Sequence, residues 1–133
     1  MSTREHLRPD GLLANPGYSH VVVASGKRMI YTAGQVPIDE HGNLIGAGDL
    51  AAQAAQAMRN IGVALAAARA SYADIVKITT YVVNYRPEHR AIIGNARAPF
   101  FADGLPPAST LVGVAALAVP EWLVEIEAIA IAD

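Results

Sequence analysis

The spacing of apolar and polar residues divides the chain into strands and helices. Tyr18 to Ala24 and Arg28 to Ala33 are two β-rich runs separated by Ser25-Gly26-Lys27, which predicts a tight hairpin with Gly26 at positive φ. Asp39 to Gly48, carrying Gly42, Gly46 and Gly48, reads as loop. Asp49 is placed to cap a helix running through Arg69, because its carboxylate can accept from the free N–H groups of the first turn. Leu50, Ala54, Met58, Ile61 and Leu65 recur at helical spacing, with Gln53, Gln56 and Asn60 on the polar side. Ile75 to Val83 is β-branched: Val76, Ile78, Thr80 and Val82 share one face of a strand, and Lys77, Thr79 and Tyr81 the other. Pro87 suits the first turn of a second helix over about His89 to Phe101, and Pro106 and Pro107 end that region. Thr110 to Ala116 and Leu123 to Ile131 complete the pattern as strands joined around Pro120.

The order β-β-α-β-α-β-β predicts an α+β sandwich, one sheet with both helices packed on one face. At 133 residues the chain fits a single domain, 1–133, with no internal repeat. Composition adds an expectation about assembly. Apolar residues are 53% and charged residues 17%, while a compact monomer of 13.9 kDa would expose roughly 6,700 Å². So few charges cover that area thinly, which predicts that part of the surface is buried against other copies of the chain.

Charge and residue types narrow the chemistry. A net charge of -2 from 10 basic and 12 acidic residues, with a pI near 6.0, disfavours nucleic acid, which needs a basic footprint. The absence of Cys removes disulfides, thiolate ligands and a thiol nucleophile, and suits a reducing cytoplasm. The opening residues lack an apolar signal core, and no stretch has the apolar length of a membrane span, so a soluble, unprocessed protein is expected. His6, His20, His41 and His89 are too scattered for a helical ligand pair, so no metal site is expected. Gly46-Ala47-Gly48-Asp49-Leu50-Ala51 matches a dinucleotide fingerprint. It follows no buried parallel strand and has no acid about 20 residues on, so it reads as a loop and helix cap, and no cofactor is called for. No serine lies in a nucleophile elbow, and His20 beside Tyr18 reads as a packed strand residue. The last strand is more informative. Glu125 and Glu127 point to one face, about 7 Å apart, beside Leu123, Ile129 and Ile131. A carboxylate among aliphatic groups loses hydration and is suited to acid or base work; two solvated acids on a half-exposed strand are the alternative.

Tyr31-Thr32-Ala33-Gly34-Gln35-Val36-Pro37, the helix with Gln53 and Asn60, Val76-Lys77-Ile78-Thr79, Phe100-Phe101, Pro107-Ala108 and Val124-Glu125-Ile126-Glu127-Ala128-Ile129-Ala130 stand in an order that resembles the Rid (YjgF/YER057c/UK114) superfamily over nearly the whole chain. The resemblance implies a chorismate-mutase-like fold, a homotrimer and a small-molecule pocket at each subunit interface. Imine deaminases of that family hold a 2-imino acid by its carboxylate through an arginine directly after the Pro-Ala pair, a position occupied here by Ser109. A serine hydroxyl offers one neutral donor where arginine offers a charged fork. Ala33 stands where a serine is common, and Gly94, beside Asn95, where an asparagine is.

By that resemblance Glu125 is the catalytic group, orienting water toward a C=N carbon, with Tyr18, Ala33, Gly34, Ser109 and Thr110 around the substrate. Arg97 is a replacement cation, or else a helix-surface arginine paired with a nearby acid. The expected function is hydrolysis of an imine, enamine or related reactive metabolite other than a simple 2-imino acid. The alternative is a non-catalytic module that binds a metabolite in the same pocket. RNA cleavage, also attached to the family, conflicts with the charge.

Overall fold

The computed structural model describes residues 1–101 and 105–133. Its strands are β1 (Thr3–Leu7), β2 (Val21–Ser25), β3 (Arg28–Tyr31), β4 (Ile75–Val83), β5 (Ala108–Val114) and β6 (Val124–Ala132); its helices are α1 (Leu50–Ala67) and α2 (His89–Arg97). Four strands form a mixed sheet in the order β3-β6-β4-β5, antiparallel except for the β4–β5 pair. Parallel β4 and β5 need a crossover, and α2 supplies it.

Both helices cover one face of this sheet. Ala54, Ala57, Met58, Ile61 and Leu65 of α1 and Ile93 of α2 are buried against Ile78 and Val82 of β4 and Val124, Ile126, Ala128 and Ala130 of β6. The apolar stripe read from α1 is therefore its inner face. The β4 pattern is right from Ile78 onward; a register irregularity against β6 between Ile75 and Lys77 buries Ile75 instead of Val76. The α1 cap forms as expected, with Asp49 accepting from Ala52 N–H at 3.1 Å. Gly46 and Gly48, at φ +81° and +70°, belong to the loop leading into it.

Several expectations are corrected. The predicted hairpin is absent: β2 pairs with β1, a strand not foreseen, and β3 pairs with β6. The architecture is thus a two-stranded ribbon plus the four-stranded sheet instead of one sheet. Gly26 is not at positive φ; it is needed because a Cβ would lie 2.8 Å from Ala132 O. Gln53 is fully buried rather than on a polar side. Its amide donates to Gly46 O and Glu121 O, and its oxygen accepts from Leu123 N–H, so it ties two loops to α1. Finally α2 ends at Arg97 and continues as one 3-10 turn, Ala98–Phe100, because Pro99 has no N–H to continue an α-helix; Pro87 lies before α2 rather than in its first turn.

The ribbon crosses the end of the sheet where β4 and β5 begin and β6 finishes. Arg4 pairs with Asp74 and donates to Ile131 O, Ser19 N–H donates to Pro107 O, and His6 Nδ1 lies 3.1 Å from Ser19 Oγ and from Pro106 O. Among the described residues no helix is long and apolar enough to cross a membrane.

Candidate functional site

The residues expected at the site fall on opposite faces of the sheet. On the helix side, a cavity of about 220 Å³ is lined by Tyr18, Arg97 and Ser109 together with Asn15, Gly17, Arg90, Ile93, Gly94 and Leu111. Tyr18 is half-buried, its ring edge-on to His20 at 5.1 Å. Ser109 reaches this side because its register partner is Ile78, whose side chain points into the core. Arg97 enters from the last turn of α2 and is only 7% exposed. Its Nη1 donates to Ser109 Oγ at 3.2 Å and Thr80 Oγ1 at 3.4 Å, and its Nε is buried without a partner. The surface arginine paired with an acid is not what forms: among the described residues no carboxylate lies within ion-pairing distance of Arg97. Burial pushes its pKa below the ordinary arginine value, yet a guanidinium stays cationic at neutral pH.

On the open side lie Thr110, Glu125, Gly34 and the exposed Ala33. Thr110 is opposite Thr79, which is opposite Glu127, and the Thr110 hydroxyl accepts from Lys77 Nζ at 2.6 Å. Glu125 packs on Gly34, where a Cβ would stand 2.6 Å from the Glu125 carboxyl carbon and push that carboxylate aside. The chain stays beside β6 here because Gln35 N–H donates to Ile126 O at 2.7 Å and Ile126 N–H donates back to Gln35 O. Asn60 and Gln56 of α1 hold the following loop through Val36 O and Ile38 O.

The two acids of β6 differ in their partners. Tyr81 donates its hydroxyl to Glu127 Oε1 at 2.5 Å, and this bond, ahead of burial and the charges of Glu127 and Glu125, raises the Tyr81 pKa. Among the described residues none donates to Glu125. Of the two acids, only Glu127 therefore has a side-chain donor among the described residues.

Asn15, Gly17, Arg90, Ile93 and Leu111 were not foreseen at the cavity. Part of it was readable: Arg90, Ile93, Gly94 and Arg97 recur at helical spacing, so they share one side of α2. Among the described residues no group of three or more acids and histidines is placed to hold a metal ion.

The family model described as Endoribonuclease L-PSP, the YjgF/Rid family, matches residues 10–132. The chain belongs to this family. It is similar to the Rid protein YyfB of Yersinia pestis, at 38% identity covering 96% of this chain and 98% of that one, with a TM-score of 0.91. It is similar to a RutC family protein of Pyrococcus horikoshii, at 34% identity over 85% of each. It also resembles TdcF of E. coli, solved with bound serine, at 30% identity over 77% of this chain and 80% of that one, with a TM-score of 0.68.

Proposed function

We propose that this Rid family chain works in the cytoplasm as a homotrimer, and that the cavity of one subunit is completed by Glu125 from the open sheet face of the next. The site so formed hydrolyses an imine, an enamine or a related reactive metabolite, with no cofactor. Glu125 accepts a proton from water as the oxygen adds to the C=N carbon. Glu125 passes that proton to the nitrogen, the hydroxyl proton of the resulting carbinolamine follows, and the C–N bond breaks to give a carbonyl compound and ammonia. Backbone groups near Gly34 and the Thr110 hydroxyl would fix the substrate.

What carries this reading is the division of the site residues between two faces of one sheet, since Glu125 and the Arg97 cavity cannot meet within a chain. Exposed Met29 and Tyr31, on the same open face as Glu125 and paired with Ile131 and Ile129 of β6, at 63% and 65% accessibility, support burial of that face by another copy. Ser109 argues against small 2-imino acids as substrates, because loss of a desolvated charged fork costs about 2 to 5 kcal/mol, or roughly 30-fold to several-thousand-fold. RNA cleavage, suggested by the family's description, has against it the net charge of -2.

Mixed chains test the geometry. Glu125→Gln and Gly94→Leu, the second blocking the cavity, are each expected to be inactive in ammonia release from imines and enamines made in situ. Refolded together, they should recover about a quarter of wild-type activity if each site draws on two chains. Zero recovery with active wild type would place the site within one chain. A monomer in sedimentation equilibrium would refute the trimer, and saturable binding without product would favour the binding module.

A further inference from the structure

The β1–β2 ribbon is turned the reverse of the usual way. Val21 and Val23 of β2 are exposed, while Arg4 and His6, two residues apart on β1 and so on one face, are half-buried. Polar side chains turned toward the protein need partners there, since burial without them costs free energy. Arg4 and His6 stand at a cavity of about 240 Å³ whose other walls include Tyr72, Ile75, Phe100 and Phe101. It shares no lining residue with the Tyr18–Arg97–Ser109 cavity. Most polar atoms here are already engaged. The Tyr72 hydroxyl donates to Met58 O at 2.8 Å, and its ring is tilted against Phe100 at 5.2 Å. Arg4 pairs with Asp74 and donates to Ile131 O at 3.1 Å, so its charge is matched. Arg4 Nε, though without a partner among the described residues, is closed off from solvent. His6 is different. Its Nδ1 lies 3.1 Å from Pro106 O, and a carbonyl can only accept, so Nδ1 carries the hydrogen. The Ser19 hydroxyl donates to the same carbonyl at 2.6 Å, which leaves Ser19 Oγ able to accept from Nδ1 as well. In the neutral ring Nε2 is then a bare acceptor, and among the described residues nothing donates to it.

We propose that this cavity is a second ligand site and that it takes a phenol, a neutral single aromatic ring whose hydroxyl donates to His6 Nε2. Three features set that class. Tyr72, Phe100 and Phe101 offer ring faces and edges, which pack best against another aromatic ring. A dry cavity of about 150 Å³ is enough for benzene, so the space here holds one substituted ring. The Arg4–Asp74 pair leaves no charge for a carboxylate or an ammonium group to offset. Nε2 requires a donor, which a phenol supplies and an aryl ether does not. The site is independent of the imine chemistry proposed above, because neither Glu125 nor Arg97 reaches it.

Calorimetry on the full chain with phenol and anisole, alike in ring and oxygen but different in the donor, tests this. Wild type should bind phenol about fivefold to tenfold more tightly than anisole. His6→Asn keeps an amide donor for Pro106 O and has nothing at the Nε2 position, so it should lose that margin. His6→Gln places an amide oxygen near the Nε2 position and should keep most of it. In NMR spectra phenol should shift the ring signals of His6, Phe100 and Phe101. Equal binding of phenol and anisole by wild type, or a margin that survives in His6→Asn, would overturn the role of His6. Shifts confined to Tyr18, or no binding of phenol at concentrations on the order of 10 mM, would remove the site. Cyclohexanol binding as tightly as phenol would overturn the aromatic class, and benzoate binding more tightly while shifting the His6 and Phe100 signals would overturn the neutral one. Should His6→Asn fail to fold, His6→Gln decides the matter: a retained margin supports the acceptor at Nε2, and equal binding of the two probes overturns it.

Discussion

The two faces of the four-stranded sheet are made by the same strands, and only one of them is covered by the helices of the chain. Along β6, Val124, Ile126, Ala128 and Ala130 lie buried beneath the helices, and the residues between them, Glu125, Glu127, Ile129 and Ile131, remain half-exposed. The open face continues through Met29 and Tyr31 of β3 and Val112 of β5, all exposed. The chain presents 7403 Å², against roughly 6,700 Å² expected for a compact monomer of its mass. The covered face shows where folding free energy comes from: dense burial of Ile, Met, Leu and Val. The open face mixes apolar groups with a carboxylate that has no donor among the described residues, a poor arrangement for stability in a single chain.

The largest expected contrast is between the two acids of the open face. Glu125→Gln should lower turnover by roughly 10²- to 10⁴-fold with little change in ligand binding. Glu127→Gln weakens only its bond from Tyr81 and should leave the chemistry near wild type. Steady-state kinetics on both variants checks this; loss of activity in Glu127→Gln with a normal Glu125→Gln would reverse the assignment.

A smaller contrast compares the faces directly. Ile126→Ala empties a fully buried position and should cost about 2 to 5 kcal/mol, lowering the thermal midpoint on the order of 10 °C. Ile129→Ala, three residues along and facing outward, should cost about 1 kcal/mol or less in the separated chain. Urea unfolding at a series of protein concentrations makes the comparison. An Ile129→Ala cost that grows with concentration would show that another copy covers the open face; equal costs at every concentration would break the distinction.

How much was legible follows from where each signal lies in the chain. The α1 stripe and the alternation of β4 and β6 are local periodicities, and the sequence reading finds both. β1 escaped because Thr3-Arg4-Glu5-His6-Leu7 has no apolar alternation. Arg4 and His6 are held by Asp74, Ile131 O, Ser19 and Pro106 O, all distant in sequence from β1. Gln53 was misplaced for a related reason, since its partners Gly46, Glu121 and Leu123 come from two loops. The division of the site was partly readable. Ser109 and Thr110 are adjacent on a strand and must face opposite ways, so a site that uses both has to draw on two faces. That Arg97 would lie against Ser109 with no carboxylate beside it among the described residues depends on how α2 packs, which periodicity alone does not give.

The smallest effect concerns Tyr81, between Val112 and Glu125 on the open face. Its pKa is raised above the ordinary value of about 10, first by the hydrogen bond to Glu127 and then by burial and nearby carboxylate charge. A raised folded-state pKa means that the fold favours the protonated phenol. The stabilisation is fully present below the unfolded pKa and is lost as pH rises through the folded one. Wild type should therefore lose a small margin over Tyr81→Phe on the alkaline side and none near neutrality. Glu127→Gln should move the Tyr81 titration back toward its ordinary value, as followed by phenolate absorbance. Val82, next along β4 but on the covered face, has no group to titrate, so the effect belongs to the open side alone. If assembly buries that side, the Tyr81 titration should shift further upward as protein concentration rises; a titration identical at all concentrations would mean that the face around Tyr81 stays in water.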